Sequence, residues 1–235
     1  MQARRGALGG HLATPAGGGP WAGVVVIHEA FGLNDDIRRI ADRFAEHGFL
    51  ALAPDFFAWG SRMACVRAAF RELAAGSGRM FDDLEDARGW VAAHDRCTGR
   101  VGVIGFCLGG GFALLAAPRG FGAASVNYGR VPDDPETVLA GACPIIASYG
   151  GRDRALRRHP ERLDRALTAL GVEHDVEVYP QAGHSFLNRQ GGGLAPVLAR
   201  VLGAGYHGPS AEDAFQRILA FFDAHLRAPA SPPER

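Results

Sequence analysis

Lysine is absent from this chain: all 25 basic residues are arginine, and 25 acidic residues balance them to a formal net charge of zero. A neutral chain casts no global field toward nucleic acid or an anionic membrane surface, so neither is expected as a partner. Long apolar runs are also missing. Stretches such as residues 24–27 fall far short of the roughly 20 apolar residues a bilayer-spanning helix needs. Arg4 and Arg5 are followed by Gly, His and Pro rather than by an apolar segment, so no export signal is expected and the reading is a cytoplasmic protein. Cysteine is scarce. Cys65, Cys97, Cys107 and Cys143 show no paired C-x-x-C spacing, which argues against a zinc site or a redox dithiol and leaves four free thiols.

What the chain does contain is ordinary globular material. Its 235 residues are 47% hydrophobic and 21% charged, enough to cover both faces of a sheet. Apolar, β-branched runs at 24–27, 49–53, 101–106, 123–128, 145–149 and 176–179 read as strands. Between them lie helical patterns: Ile37, Ile40, Ala41 and Phe44 behind the capping candidates Asn34 and Asp35, then 81–93, 108–117, 161–170 and 211–226. Segment 60–78 is less regular and reads as a surface helix or a lid. The glycine-rich residues 1–20 read as a loose arm or short hairpin, and 228–235 as a disordered tail. Strands alternating with helices predict a mostly parallel sheet with helices on both faces, in one domain over 1–235.

In such sheets chemistry collects on the loops beyond the carboxyl ends of the strands. There stands Gly105-Phe106-Cys107-Leu108-Gly109, a G-x-nucleophile-x-G turn between strand and helix. Glycine on either side relieves the clash that a sharp turn creates. The helix N-terminus behind Cys107 favours thiolate over thiol. A nucleophilic thiol needs a base, and the base an orienting carboxylate. Asp153 follows the strand at 145–149, and His184 follows the strand at 176–179, which is the order nucleophile, acid, histidine of the α/β-hydrolase fold. Each has a plainer reading, as a buried thiol, a turn aspartate and a loop histidine. It is the shared order that joins them. The loop after the first parallel strand, His28-Glu29-Ala30, would supply one oxyanion donor from Ala30 and the turn the other from Leu108. Glu29 would then be a carboxylate close to the thiol, or simply an acid facing water.

The segments HEAFGL at 28–33, GFCLGG at 105–110, YGGRD at 149–153 and AGHSF at 182–186 together resemble the dienelactone hydrolase family. The resemblance implies a Cys107–His184–Asp153 triad, and a glutamate, Glu29, that pairs with the resting thiol. It also implies an active-site tyrosine at Tyr128 and a monomer working without metal or organic cofactor. The implied substrate is a small ester or lactone, carboxylate-bearing in the family's type enzyme, which hydrolyses a dienelactone to maleylacetate. The chain departs from the family where a substrate-binding arginine would follow the histidine: Asn188 stands there, with Arg189 one place later. Arg62, Arg67, Arg71 and Arg79 are further candidates for a second arginine. Two alternatives stay open. One is a broader carboxylesterase or thioesterase on the same triad, the other a non-catalytic, thiol-bearing binding or redox-sensing protein.

Overall fold

A computed structural model describes residues 1–189 and 205–227 of the chain. Its frame is a seven-stranded sheet of β3 (Gly10–Ala13), β5 (Phe49–Pro54), β4 (Trp21–Ile27), β6 (Cys97–Phe106), β7 (Ala123–Asn127), β8 (Ile145–Gly150) and β9 (His174–Tyr179), in that spatial order. Only β3 runs antiparallel; every other neighbouring pair is parallel. β4, β5, β7 and β8 are buried along nearly their whole length, which is why they read as continuous apolar runs rather than alternating ones. The mostly parallel α/β-hydrolase architecture is therefore as expected.

The first twenty residues are better ordered than a loose arm. β1 (Gln2–Ala3) and β2 (Gly6–Ala7) form a small hairpin, and β3 adds to the sheet edge, with Leu12 opposite Leu52. Pairing with β5 is a long-range event that a glycine-rich segment does not announce. The tail at 228–235 lies outside the described residues.

Helices cover both faces. α1 (Asp35–Glu46) starts at Asn34, whose side chain accepts from the Ile37 N–H, and carries Asp35 and Asp36 in its first turn. It packs with α7 (Gly208–Leu226) on one face, where Phe44 meets Phe49, Phe215 and Phe222. Each such fully buried side chain contributes roughly 1.5–3 kcal/mol through apolar surface removed from water. The other face takes α2 (Arg62–Ala75), α3 (Arg79–Ala92), α4 (Leu108–Ala116) and α6 (His159–Leu170), after the short α5 (Pro135–Val138). Segment 60–78 thus resolves mainly into α2, capped by Ser61 and closed by Gly76 in the left-handed conformation.

The strand order locates the chemistry. From β4 the chain crosses to β5 on one side, and later returns as β6 on the other. That reversal leaves a crevice beyond the carboxyl ends of β4 and β6. His28–Ala30 and Cys107 leave the sheet there, while Tyr128, Asp153 and His184 follow β7, β8 and β9.

Candidate active site

Cys107 sits on the turn between β6 and α4 with φ 53° and ψ −113°, a conformation that costs a non-glycine residue energy. The glycines around it make the turn possible. A Cβ on Gly105 would overlap the Gly109 carbonyl, and one on Gly109 would lie 2.6 Å from the His28 carbonyl oxygen. The Cys107 N–H donates to the Asn127 carbonyl at 3.0 Å, tying the turn to β7. Among the described residues, two other non-glycine residues have positive φ, Tyr128 (41°) and Ser185 (60°). All three belong to this crevice, where strain is concentrated by surrounding structure that holds it in place.

His184 donates from Nδ1 to Asp153 Oδ2 at 2.6 Å, and Asp153 Oδ1 accepts from the Ala155 N–H at 3.1 Å. Burial would push the Asp153 carboxyl up, but the His184 bond and charge hold it below its ordinary value. Burial would also discourage a charged imidazole. The Asp153 bond and the adjacent Cys107 outweigh that and raise His184 to about 10. The structure therefore brings Cys107, His184 and Asp153 together.

The loop after β4 is held by its own first residue. His28 is buried, and its Nδ1 donates to the Glu29 carbonyl at 2.8 Å. A planar trans peptide sends its N–H opposite its carbonyl, so this bond turns the Ala30 N–H away from His28. Burial lowers the His28 pKa, which keeps the ring neutral. Leu108, the second backbone donor candidate, is the first residue of α4.

Glu29 is 3% exposed, and its Oε1 accepts from Ser185 Oγ at 2.8 Å. Burial raises its pKa to about 7, with the Ser185 bond pulling the other way. This bond goes to the serine beside the histidine, whereas the sequence resemblance implies a pairing with the thiol. Tyr128 is buried with its ring 5.1 Å from that of His184, and its hydroxyl donates to Asn188 Oδ1.

Over these residues opens a cleft of about 360 Å³. Cys107, Leu108, Tyr128 and His184 line it, and its walls are largely apolar, lined by Phe70, Leu73 and Ala74 from α2 together with Leu115, Pro132 and Leu156. Arg130 and Asp133 also line it. Arg189 is turned elsewhere: its guanidinium donates to the Tyr206 hydroxyl at 2.9 Å and lies over that ring. Arg62, Arg67 and Arg71 are exposed on α2 outside the cleft lining, and Arg79 is paired with Asp83. Arg130 is a cleft-lining arginine that the sequence reading did not single out; its one signal was its place two residues after Tyr128, on a strand-end loop. No group of three or more His, Cys, Asp or Glu side chains among the described residues is arranged to hold a metal ion.

The sequence pattern of the dienelactone hydrolase family matches residues 8–226. The chain belongs to the dienelactone hydrolase family. Within it, the protein is 31% identical over 226 residues to a Yersinia pestis protein assigned as a carboxymethylenebutenolidase, covering 88% of this chain and 79% of that one. It is 29% identical over 235 residues to an Azospirillum brasilense protein given the same assignment, covering 94% and 95%. A solved structure assigned as a dienelactone hydrolase from Klebsiella pneumoniae superposes with a TM-score of 0.72 at 26% identity, over 92% of this chain and 98% of that one. This dienelactone hydrolase family member is accordingly a hydrolase of ester or lactone bonds. Among its described residues no helix is long and apolar enough to cross a membrane.

Proposed function

We propose that the protein cleaves a small ester or lactone through a thioester formed on Cys107, in the manner of a carboxymethylenebutenolidase. The observation that carries this reading is His184, which is hydrogen-bonded to Asp153 and lines the same cleft as Cys107. In this reading His184 acts as the imidazolium and the thiolate form of Cys107 as the nucleophile. The thiolate attacks the substrate carbonyl, forming an S–C bond, while the Ala30 and Leu108 amides receive the developing oxyanion. The C–O bond then breaks, and the leaving oxygen takes the His184 proton; in a lactone it remains tethered to the acyl group. Neutral His184 next takes a proton from water, whose oxygen attacks the thioester. C–S cleavage releases the acid and restores thiolate and imidazolium. No further cofactor is called for by this sequence of steps.

The apolar walls with Arg130 among them favour an apolar ester carrying one carboxylate. They also support a second reading, a broader carboxylesterase that accepts neutral esters. A panel of lactones and acyclic esters, each with and without a carboxylate, separates the two by kcat/KM. The triad itself is tested with Cys107→Ala. Turnover should vanish on aryl ester and dienelactone alike, and acyl-enzyme trapped from the parent should map to Cys107 by mass spectrometry. Undiminished turnover of the variant on both substrates would overturn the assignment.

A further inference from the structure

A chain of buried polar groups runs behind His184 that the proposed chemistry does not use. Asp36, in the first turn of α1, is 7% exposed. Its Oδ2 accepts from Asn188 Nδ2 at 2.7 Å. Its Oδ1 accepts from the Arg189 N–H at 3.1 Å and from the Arg39 guanidinium. Asn188 is fully buried, and its Oδ1 accepts from the Tyr128 hydroxyl. The network thus joins α1, the loop carrying His184 and the end of β7.

Its logic is directional. Burial raises the Asp36 carboxyl above its ordinary value, while the Asn188, Arg39 and Arg189 donors favour its charged form; as a carboxylate it offers acceptors only, so Asn188 must present its NH₂ to it. That leaves Asn188 Oδ1, and nothing else of that amide, to face Tyr128. The tyrosine hydroxyl is then committed as a donor to Asn188, which fixes the ring that packs on the His184 imidazole. Tyr128 holds φ 41° while doing so, a strained backbone that needs such tethers. Without the Asp36 charge, the Asn188 amide has no reason to prefer one orientation, and the hydroxyl no assured acceptor.

We infer that Asp36 is a positioning residue for the reaction: acting through Asn188 and Tyr128, it holds His184 in register with Cys107. This rests on the reading of Cys107, His184 and Asp153 as the working triad.

The test is a double-mutant cycle on the full chain, with an aryl ester as substrate. Asp36→Asn, which conserves volume, should lower kcat about tenfold and leave KM within about twofold. The same substitution made in Tyr128→Phe should change kcat by less than about twofold, because the link it would break is already gone. Equal losses in both backgrounds, or no loss in the parent, would overturn the inference. Should the Asp36→Asn chain fail to fold, Asn188→Ala interrupts the same link and must show the same dependence on Tyr128. Cys107→Ala in the same assay separates the two levels: an inactive Cys107→Ala beside an additive cycle removes only the role of Asp36, whereas an active one removes the triad and this inference together.

Discussion

Glu29 and Ser185 meet through a 2.8 Å hydrogen bond, although 155 residues of chain lie between them. The contact joins the loop after β4, which carries the proposed Ala30 donor, to the loop after β9, which carries His184. Burial, which this contact only partly offsets, sets the state of the acid. Buried, and accepting from the Ser185 hydroxyl, Glu29 titrates near neutrality, at about 7. A carboxyl poised there, one residue before the proposed Ala30 donor, changes charge within the working range of pH.

That poise has a consequence for stability. The folded-state pKa of Glu29 lies above its ordinary 4.5, so the native state binds the proton more tightly than the unfolded chain. Its contribution is fully present below pH 4.5 and is lost as pH rises through about 7. A shift of this size corresponds to about 3 kcal/mol. Glu29→Gln keeps the Ser185 bond and removes the titration. Urea unfolding at pH 4.5 and pH 8 should therefore show the parent losing about 3 kcal/mol more than the variant. Parallel pH dependence in the two proteins would refute the assignment of this titration to Glu29.

Asp153 governs the proton on His184. With the imidazole raised to about 10, its ion-pair contribution is fully present below pH 6.5 and is lost as pH rises through about 10. Activity that needs the imidazolium should decline over the same alkaline range. Asp153→Asn removes the charge, so the alkaline limb of kcat/KM should move down in pH, and kcat should fall on the order of 10³-fold or more. NMR titration of the His184 ring gives an independent reading, and an unmoved pKa in Asp153→Asn would contradict the pairing.

Local physics explains why the strained turn at Cys107 was legible in the sequence. Gly105, Gly109 and Cys107 answer steric demands set within a few residues of one another, so their spacing alone reports them. Asp153 and His184 were legible because a parallel sheet sends each strand end to the same edge. Arg189 was misplaced by one step of a turn: the backbone after Ser185 delivers Asn188 inward and Arg189 to Tyr206, and nothing in the sequence distinguishes the two. Arg130 depended on tertiary tethers. The Val131 N–H donates to His159 Nδ1 at 2.9 Å, and Arg162 donates to the Pro132 carbonyl, so α6 decides where the loop after Tyr128 lies. The edge strand β3 was hidden for the same reason, since only β5 makes it a strand.

His28 shows how one buried ring can set a backbone donor. Its bond to the Glu29 carbonyl orients the Glu29–Ala30 peptide, on whose N–H the oxyanion reading depends. His28→Leu removes that tether while filling similar space between Phe56 and Phe57. Loss of an aligned oxyanion donor typically costs 10²–10³ in kcat, and a donor left in place but poorly oriented should cost roughly tenfold to a hundredfold. KM should change little, because the interaction forms chiefly in the transition state. An equal rise in KM with kcat intact would show that His28 serves ground-state binding instead.

Arg130 offers the sharpest test of what the enzyme selects. It is exposed at the cleft, and its loop is fixed on either side by the Tyr149 hydroxyl bond to the Gly129 carbonyl at 3.0 Å and by the His159 bond to Val131. A guanidinium on a rigid mount loses little freedom when it binds a carboxylate, and its paired N–H groups match that group's geometry. Arg130→Ala should therefore raise KM for a carboxylate-bearing ester about tenfold, while a neutral ester of the same shape is turned over unchanged. Because the attraction acts across a solvent-exposed mouth, added salt should erode the parent's preference toward that of the variant. Equal effects on charged and neutral esters would mean that Arg130 only shapes the wall, and the acid-selective reading would give way to the broader carboxylesterase.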